Sequence, residues 1–459
     1  MSNEAEPIVE SPWPESRAEA VPPPPLEAQP VAESERVQAV DVLRGVALLG
    51  ILVMNIPTFA WPGMMDSPLL NGSFQDLDRA LWIIQHVVFE TKMMTIFSML
   101  FGAGLVLMSD RAATRGASLT GRYYRRVLWL MAFGAIHGYL IWAGDILFWY
   151  GACGLLLYPM RNWSPRVLIG LGLAMNLVIA LIALPIGIGI FLLRQTATDD
   201  EANPQRPAAS SGLEQELRTV WTKMQPKLEP SPENQTQERQ KEIDIYQGNY
   251  VGILQHRVPL VLTMETFGLV FFGWWLCGGR MLIGMGLMKL GVFSASRTSR
   301  FYLGLLALGY GIGLPLVLGS TWFLIHDRFR IVSEILDIGV LNFLGGLAMA
   351  LGHVAVVMLL FQAGVVGRLQ RALAAVGRMA LTNYLTHSLV LSTLFYGYGL
   401  GYYNQVNRAT QMGIVLAIWV FQLIASPIWL SYFRYGPAEW LWRSLTYGEA
   451  QPMRHEPVT

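Results

Sequence analysis

Two ionisable residues, His137 and Asp145, lie in the stretch Ile136-His-Gly-Tyr-Leu-Ile-Trp-Ala-Gly-Asp-Ile-Leu147, where one apolar run ends and the next begins. Hydrocarbon cannot solvate a charge, so an ionisable group at membrane depth reads as functional, with a partner to be named. Asp145 is the candidate partner of His137. An imidazole held through one nitrogen by a carboxylate keeps the other nitrogen free as a base, which is how acyl-transfer sites orient their histidine. On an unbroken helix the two residues stand about 12 Å apart along the axis and roughly 80° apart around it, too far to bond. Gly144 offers the break at which the chain can turn back. The alternative is a turn in which Asp145 caps the next helix through backbone N–H groups and His137 is simply buried.

Other polar residues sit within apolar runs. Asp41 and Arg44 share a helix face, and Asn55 returns to that face about 16 Å further on, so one polar stripe runs along the first run. It reads either as an interfacial ion pair with an interhelical hydrogen bond or as the lining of a cavity. His86 and Glu90 are one turn apart and can touch, whereas Lys92 points elsewhere on a regular helix. Asn383 and His387 share another face, beside Thr382 and Thr386, for packing or for binding. Arg125 and Arg126 belong to a basic cluster and have the geometry for phosphate.

The elements that must position these groups follow from composition. Of 459 residues only 14% are charged, 53% are hydrophobic, and the formal charge is +1. Soluble domains average about 25% charged residues. Apolar runs of membrane-crossing length begin near Val42, Leu81, Val127, Ile146, Val167, Val258, Tyr302, Ile338, Ala374 and Gly413. The expected fold is all-α, a polytopic bundle of about ten transmembrane helices. Residues 1–38, rich in Pro, Glu and Ala with no apolar stretch behind a basic start, read as a disordered tail and not a signal peptide. Residues 39–193 and 258–433 read as two halves of about five helices each. Residues 194–257 form a polar insert, and residues 434–459 an amphipathic surface segment and tail. Lys and Arg concentrate in alternate short loops, which places both termini in the cytoplasm and the insert outside, in a bacterial inner membrane. The charge balance argues against nucleic-acid binding. Cys153 and Cys277 lie in apolar runs with no metal-ligand spacing, so neither a metal nor a bound cofactor is expected.

Several longer motifs carry a resemblance. Val42-Leu-Arg-Gly-Val-Ala-Leu-Leu-Gly-Ile-Leu52 with Asn55-Ile56, Phe97-Ser-Met-Leu-Phe-Gly-Ala-Gly104, the His137 stretch, Gly377-Arg-Met-Ala-Leu-Thr-Asn-Tyr384 and Gly436-Pro-Ala-Glu-Trp-Leu-Trp-Arg-Ser-Leu-Thr-Tyr-Gly448 resemble the YeiB-type bacterial inner-membrane proteins, with domain of unknown function 418. That family brings no reaction with it. The Asp41-x-x-Arg44-Gly45 entry to the first run is also similar to that of the membrane acyltransferases, including the heparan glucosaminide N-acetyltransferase group and the glucan succinyltransferases. This second resemblance implies transfer of an acyl group from a cytoplasmic thioester such as acyl-CoA to a sugar or lipid acceptor across the bilayer. Many such enzymes have a histidine where this chain has Asn55, so His137 with Asp145 is the candidate replacement. Arg44 with Arg125 or Arg126 would then hold donor phosphates, with Asn55, Glu90, Lys92, Asn383 and His387 as further substrate-facing candidates. The rival readings are a transporter or flippase, in which the polar stripes line a path, and a non-catalytic scaffold. The sequence leaves the oligomeric state open.

Overall fold

The computed structural model describes residues 37–455, apart from 64–67, 72, 73, 199–211, 230 and 366. The tail at 1–36, Asp66 and the acidic run 199–201 lie outside the described residues. Among the described residues the chain is helical, with one isolated antiparallel bridge between Phe433 and Arg454.

Helix α1 (Gln38–Ala60) is apolar on almost every side and buried along most of its length, so it forms the axis of the bundle. Next come α2 (Asp76–Ile84), a π-helical turn at Gln85–Phe89, and α3 (Lys92–Thr114). A hairpin follows, of α4 (Thr120–Leu140) and α5 (Leu147–Leu157), and then the long α6 (Pro165–Thr198). The described part of the polar insert is itself helical, as α7 (Gly212–Leu228) and α8 (Pro232–Tyr246). Helix α9 (Tyr250–Thr263) runs through a π-helical stretch, Met264–Gly278, into α10 (Gly279–Lys289). After α11 (Ser299–His326), a further interrupted pair, α12 (Ile331–Leu336) and α13 (Asn342–Ala363), is joined by a π-turn at Asp337–Leu341. The chain closes with α14 (Gly367–Arg378), α15 (Ala380–Phe395), α16 (Arg408–Tyr432) and α17 (Pro437–Tyr447).

Among the described residues, seven helical stretches are long and apolar enough to cross a membrane: 38–60, 76–114, 165–196, 250–289, 299–326, 331–363 and 408–432. Their outward faces carry Leu181, Phe271, Leu308 and Phe421, each more than half exposed, a surface suited to lipid. The other three expected spans are helices of a different kind. Three arginines occupy the first two turns of α4, and α5, at 11 residues, rises only about 16 Å. A break at Met379 divides α14 from α15. The insert's margins are narrower than 194–257, because α6 continues through Arg194 and α9 begins at Tyr250.

The insert is fastened to the end of the bundle where α1 finishes. Glu242 accepts from the Gly63 N–H (3.0 Å) and the Tyr403 hydroxyl (3.1 Å), and Tyr246 stacks on Tyr403. At the opposite end, α17 lies against α4 and α15.

Candidate functional site

The α4–α5 hairpin does not turn outside the bundle. Trp142 and Ala143 in its tip are buried, and α5 starts beside Gly134, partway down α4. Irregular backbone at membrane depth is tolerated only where protein encloses it. Two glycines permit the fold-back. A side chain at Gly134 would collide with the Phe148 backbone, and one at Gly144 would collide with the Trp142 ring.

This turn brings Asp145 onto His137. Asp145 Oδ1 lies 2.8 Å from His137 Nδ1, and Oδ2 accepts the Phe148 N–H at 2.9 Å. One carboxylate therefore orients the imidazole and caps the first turn of α5, where the helix dipole also favours negative charge. The orienting and the capping roles of Asp145 hold at once. An ionised carboxylate only accepts, so Nδ1 carries the hydrogen and Nε2 of the neutral ring is an acceptor. That nitrogen, expected to stand free, receives the Ser388 Oγ–H from α15 at 2.8 Å. The reason is burial: His137 is 0% and Ser388 1% exposed, and a buried acceptor requires a donor. Asp145, His137 and Ser388 thus form a continuous carboxylate–imidazole–hydroxyl chain. Glu265 lies beside it, since the space above Gly138 is bordered by both Asp145 and Glu265.

One helical turn before Ser388, Tyr384 packs its ring against His137, with centroids 5.1 Å apart. Its buried hydroxyl approaches the Ile146 backbone without a well-formed hydrogen bond. Tyr384 also lines a cavity of about 300 Å³. The cavity wall near Tyr384 is apolar, with Ile51, Leu100, Leu130, Leu147 and Tyr150. Its other end is cationic: Arg44, Arg111, Arg115, Arg126, Arg378, Arg434 and Arg443 line it against two carboxylates, Asp41 and Glu439. Such an excess of guanidinium suits a ligand with several negative charges.

Helix α17 closes that end. Trp442 lies under the Arg126 guanidinium at 3.6 Å and donates its indole N–H to the Arg126 carbonyl. Glu439 accepts from the Leu381 N–H (2.6 Å), the Thr382 N–H (3.0 Å) and the Thr382 hydroxyl (2.5 Å), so it caps α15 across the break at Met379. Burial pushes the Glu439 carboxyl up, and these donated hydrogen bonds pull it partly back. The i,i+4 spacing of Glu439 and Arg443 suggests a surface pair. Instead Glu439 turns inward and Arg443 lies over Tyr435, because free N–H groups at a helix start reward a carboxylate more than an exposed ion pair does.

The remaining candidates fall in different places. Arg44 pairs with Asp41 at 2.8 Å and lines the cavity, as does Arg126. Arg125 does not line it and reaches the Thr446 carbonyl at 3.4 Å. Asn55 is also away from the lining, and its carbonyl accepts from Thr58. Asn383 and His387 bond Ser426 and Gln422 of α16 and act as interhelical ties. Glu90 and Lys92 belong to a separate cluster around His86, because the break at Thr91 swings Lys92 back onto the His86 carbonyl. Ser388, Tyr384 and the α17 contacts were not singled out from the sequence. Ser388 stood next to the polar stripe of α15, but on a different face.

An all-helical bundle with membrane-length apolar helices and a buried polar chain behind a cavity defines a polytopic membrane protein. Comparison with known proteins places it more narrowly. Residues 287–449 match the family described as Protein of unknown function (DUF418). Uncharacterized protein YeiB of Escherichia coli (strain K12) is 31% identical over 437 residues, spanning 91% of this chain and 98% of that protein. Uncharacterized protein YxaH of Bacillus subtilis (strain 168) is 30% identical over 439 residues, spanning 93% and 98%. The chain belongs to the YeiB-type DUF418 family. The matched stretch holds Ser388 and Glu439, while His137 and Asp145 precede it.

Proposed function

We propose that this protein transfers an acyl group from an anionic thioester, such as acyl-CoA, to a hydroxyl or amine acceptor on a sugar or lipid reached from the other face. The observation that carries this reading is the Asp145–His137–Ser388 chain behind Tyr384, at the apolar end of an arginine-lined cavity. Basic loops put the arginine-lined end in the cytoplasm, with both termini. In this topology α4, α5 and the α14–α15 pair complete ten membrane elements, and the insert faces out of an inner membrane.

Donor phosphates would sit among Arg44, Arg126 and their neighbours, and the acyl chain would lie along Leu48, Ile51 and Leu100. Rotation of the Tyr384 ring opens the way to Ser388. His137 Nε2 takes the Ser388 proton as Oγ attacks the thioester carbonyl, and Asp145 stabilises the imidazolium. The C–S bond breaks and the thiolate leaves with that proton. The acceptor hydroxyl or amine then attacks the seryl ester, gives its proton to His137, and Ser388 regains it as the ester bond breaks.

The test uses full-length protein in lipid nanodiscs and radiolabelled acyl-CoA donors of two to sixteen carbons. Thioester consumption and a covalent label on the protein are expected, with both lost in His137→Ala and Ser388→Ala. Absence of turnover and of label with every donor, or turnover that persists unchanged in both variants, overturns the reading.

A further inference from the structure

A second polar cluster, separate from the His137 site, lies between two of the interrupted helix pairs, α2–α3 and α12–α13. The α2–α3 pair slips into a π-turn at Gln85–Phe89, after which Thr91 takes φ +64°. The α12–α13 pair slips in the same way at Asp337–Leu341. π-Turns inside helices concentrate at functional sites.

The side chains at the two slips meet. Glu90 Oε2 lies 2.7 Å from His86 Nδ1, and Asp337 Oδ1 lies 3.3 Å from His86 Nε2. The same Asp337 oxygen accepts from Ser320 of α11 at 2.5 Å. Lys92 Nζ donates to Asn342 Oδ1 (2.6 Å) and to the His86 carbonyl (2.9 Å). His86, Lys92, Asp337 and Asn342 are at most 4% exposed, whereas the Glu90 side chain is 42% exposed. The chain therefore has a buried end and an open end. The other charged or titratable groups facing it are Arg280 of α10, Arg408 of α16, Asp78 of α2 and His353 of α13.

The donor count decides what this arrangement holds. A neutral imidazole has one N–H, yet both His86 nitrogens face carboxylates, which when ionised only accept. Asn342 Nδ2, 3.4 Å from His86 Nε2, is the donor available to the neutral ring, and the Glu90 and Asp337 contacts are satisfied together only when one more proton is present.

We propose that His86, Glu90 and Asp337 form a proton-binding site, loaded through the exposed Glu90, whose occupancy adds a His86–Asp337 tie between the α2–α3 and α12–α13 pairs. With the proton bound, His86 bridges α2–α3 to α12–α13. When the proton leaves to water through Glu90, the Asp337 bridge is lost and Nε2 is left to accept from Asn342 Nδ2. Only N–H and O–H bonds change, and water is the proton source and sink. This site is independent of the acyl-transfer reading.

The test is pH-difference infrared spectroscopy of the full-length protein in lipid nanodiscs between pH 5 and 9. An imidazole or carboxyl band that titrates in the wild type is expected to vanish in His86→Gln and to survive in His455→Gln. In Glu90→Gln its midpoint falls by about one pH unit or more, because an adjacent carboxylate favours imidazolium by about one to three units. A spectrum unaltered by His86→Gln, or a midpoint unchanged or raised in Glu90→Gln, overturns the proposal. If His86→Gln does not yield monodisperse protein, Glu90→Gln decides alone, since that side chain is partly exposed.

Discussion

Truncating His137 strands a carboxylate. In His137→Ala, Asp145 keeps the Phe148 N–H but loses its imidazole donor, with only 4% of its side chain exposed. Removing one partner of a buried pair costs about 3 to 5 kcal/mol, and the orphaned Ser388 hydroxyl adds about 1 kcal/mol. Asp145→Ala removes the charge itself. It leaves one imidazole N–H unpaired, about 1 to 3 kcal/mol, and takes away the cap on α5, about 1 kcal/mol. In the double variant no stranded charge exists, so it should be more stable than His137→Ala alone, with a coupling of about 2 to 3 kcal/mol. Reversible unfolding by SDS titration in mixed micelles measures all four proteins. Additivity within about 0.5 kcal/mol, or a double variant less stable than either single one, refutes the pairing argument.

Gly134→Ala drives a methyl group into the Phe148 backbone and should cost about 1 to 3 kcal/mol in the same titration, whereas Ala at Gly304, with open space around it, should be near neutral. Arg126→Ala removes a guanidinium from the cavity and should raise the KM for an acyl-CoA donor roughly ten- to hundredfold with little change in kcat, each charge-assisted contact being worth about 1.5 to 3 kcal/mol. Glu439 supplies a pH test. Its folded-state carboxyl lies above the ordinary 4.5, so the unfolded chain releases this proton first as pH rises. Its contribution is complete below 4.5 and declines as pH climbs through the folded value. Between pH 4 and 7 the wild-type Tm should therefore fall relative to that of Glu439→Gln, and a relative rise contradicts the assignment.

The helical membrane fold was legible in the sequence because an apolar run of bilayer length is seldom stable anywhere but in lipid. His137 and Asp145 were legible for the same reason, as ionisable groups in surroundings that penalise charge. Ser388 was not, since a helix absorbs serine by bonding it back to its own carbonyls and no penalty marks it. Lys92 was placed off the His86 face on a regular helix, and the π-turn and the break at Thr91 reversed that placement. Nothing near Met379 announced the break between α14 and α15, because the carboxylate that stabilises it, Glu439, arrives 58 residues after Leu381. The local code sets each helix, while interruptions depend on partners distant in the chain.

Those distant partners bear on how the protein is made. His137 bonds Ser388 251 residues later, Lys92 bonds Asn342 250 residues later, and Gln85 accepts from Arg408 323 residues later. At about 5 to 20 residues per second, the ribosome needs roughly 12 to 50 seconds to supply a partner about 250 residues away. Throughout that interval the nascent first half holds unmatched polar groups that lipid will not accept. Its early helices must wait at the translocon, beside an insertase, or near the interface until the second half emerges. A chain stalled between the halves becomes a substrate for membrane quality control and not a half-sized protein.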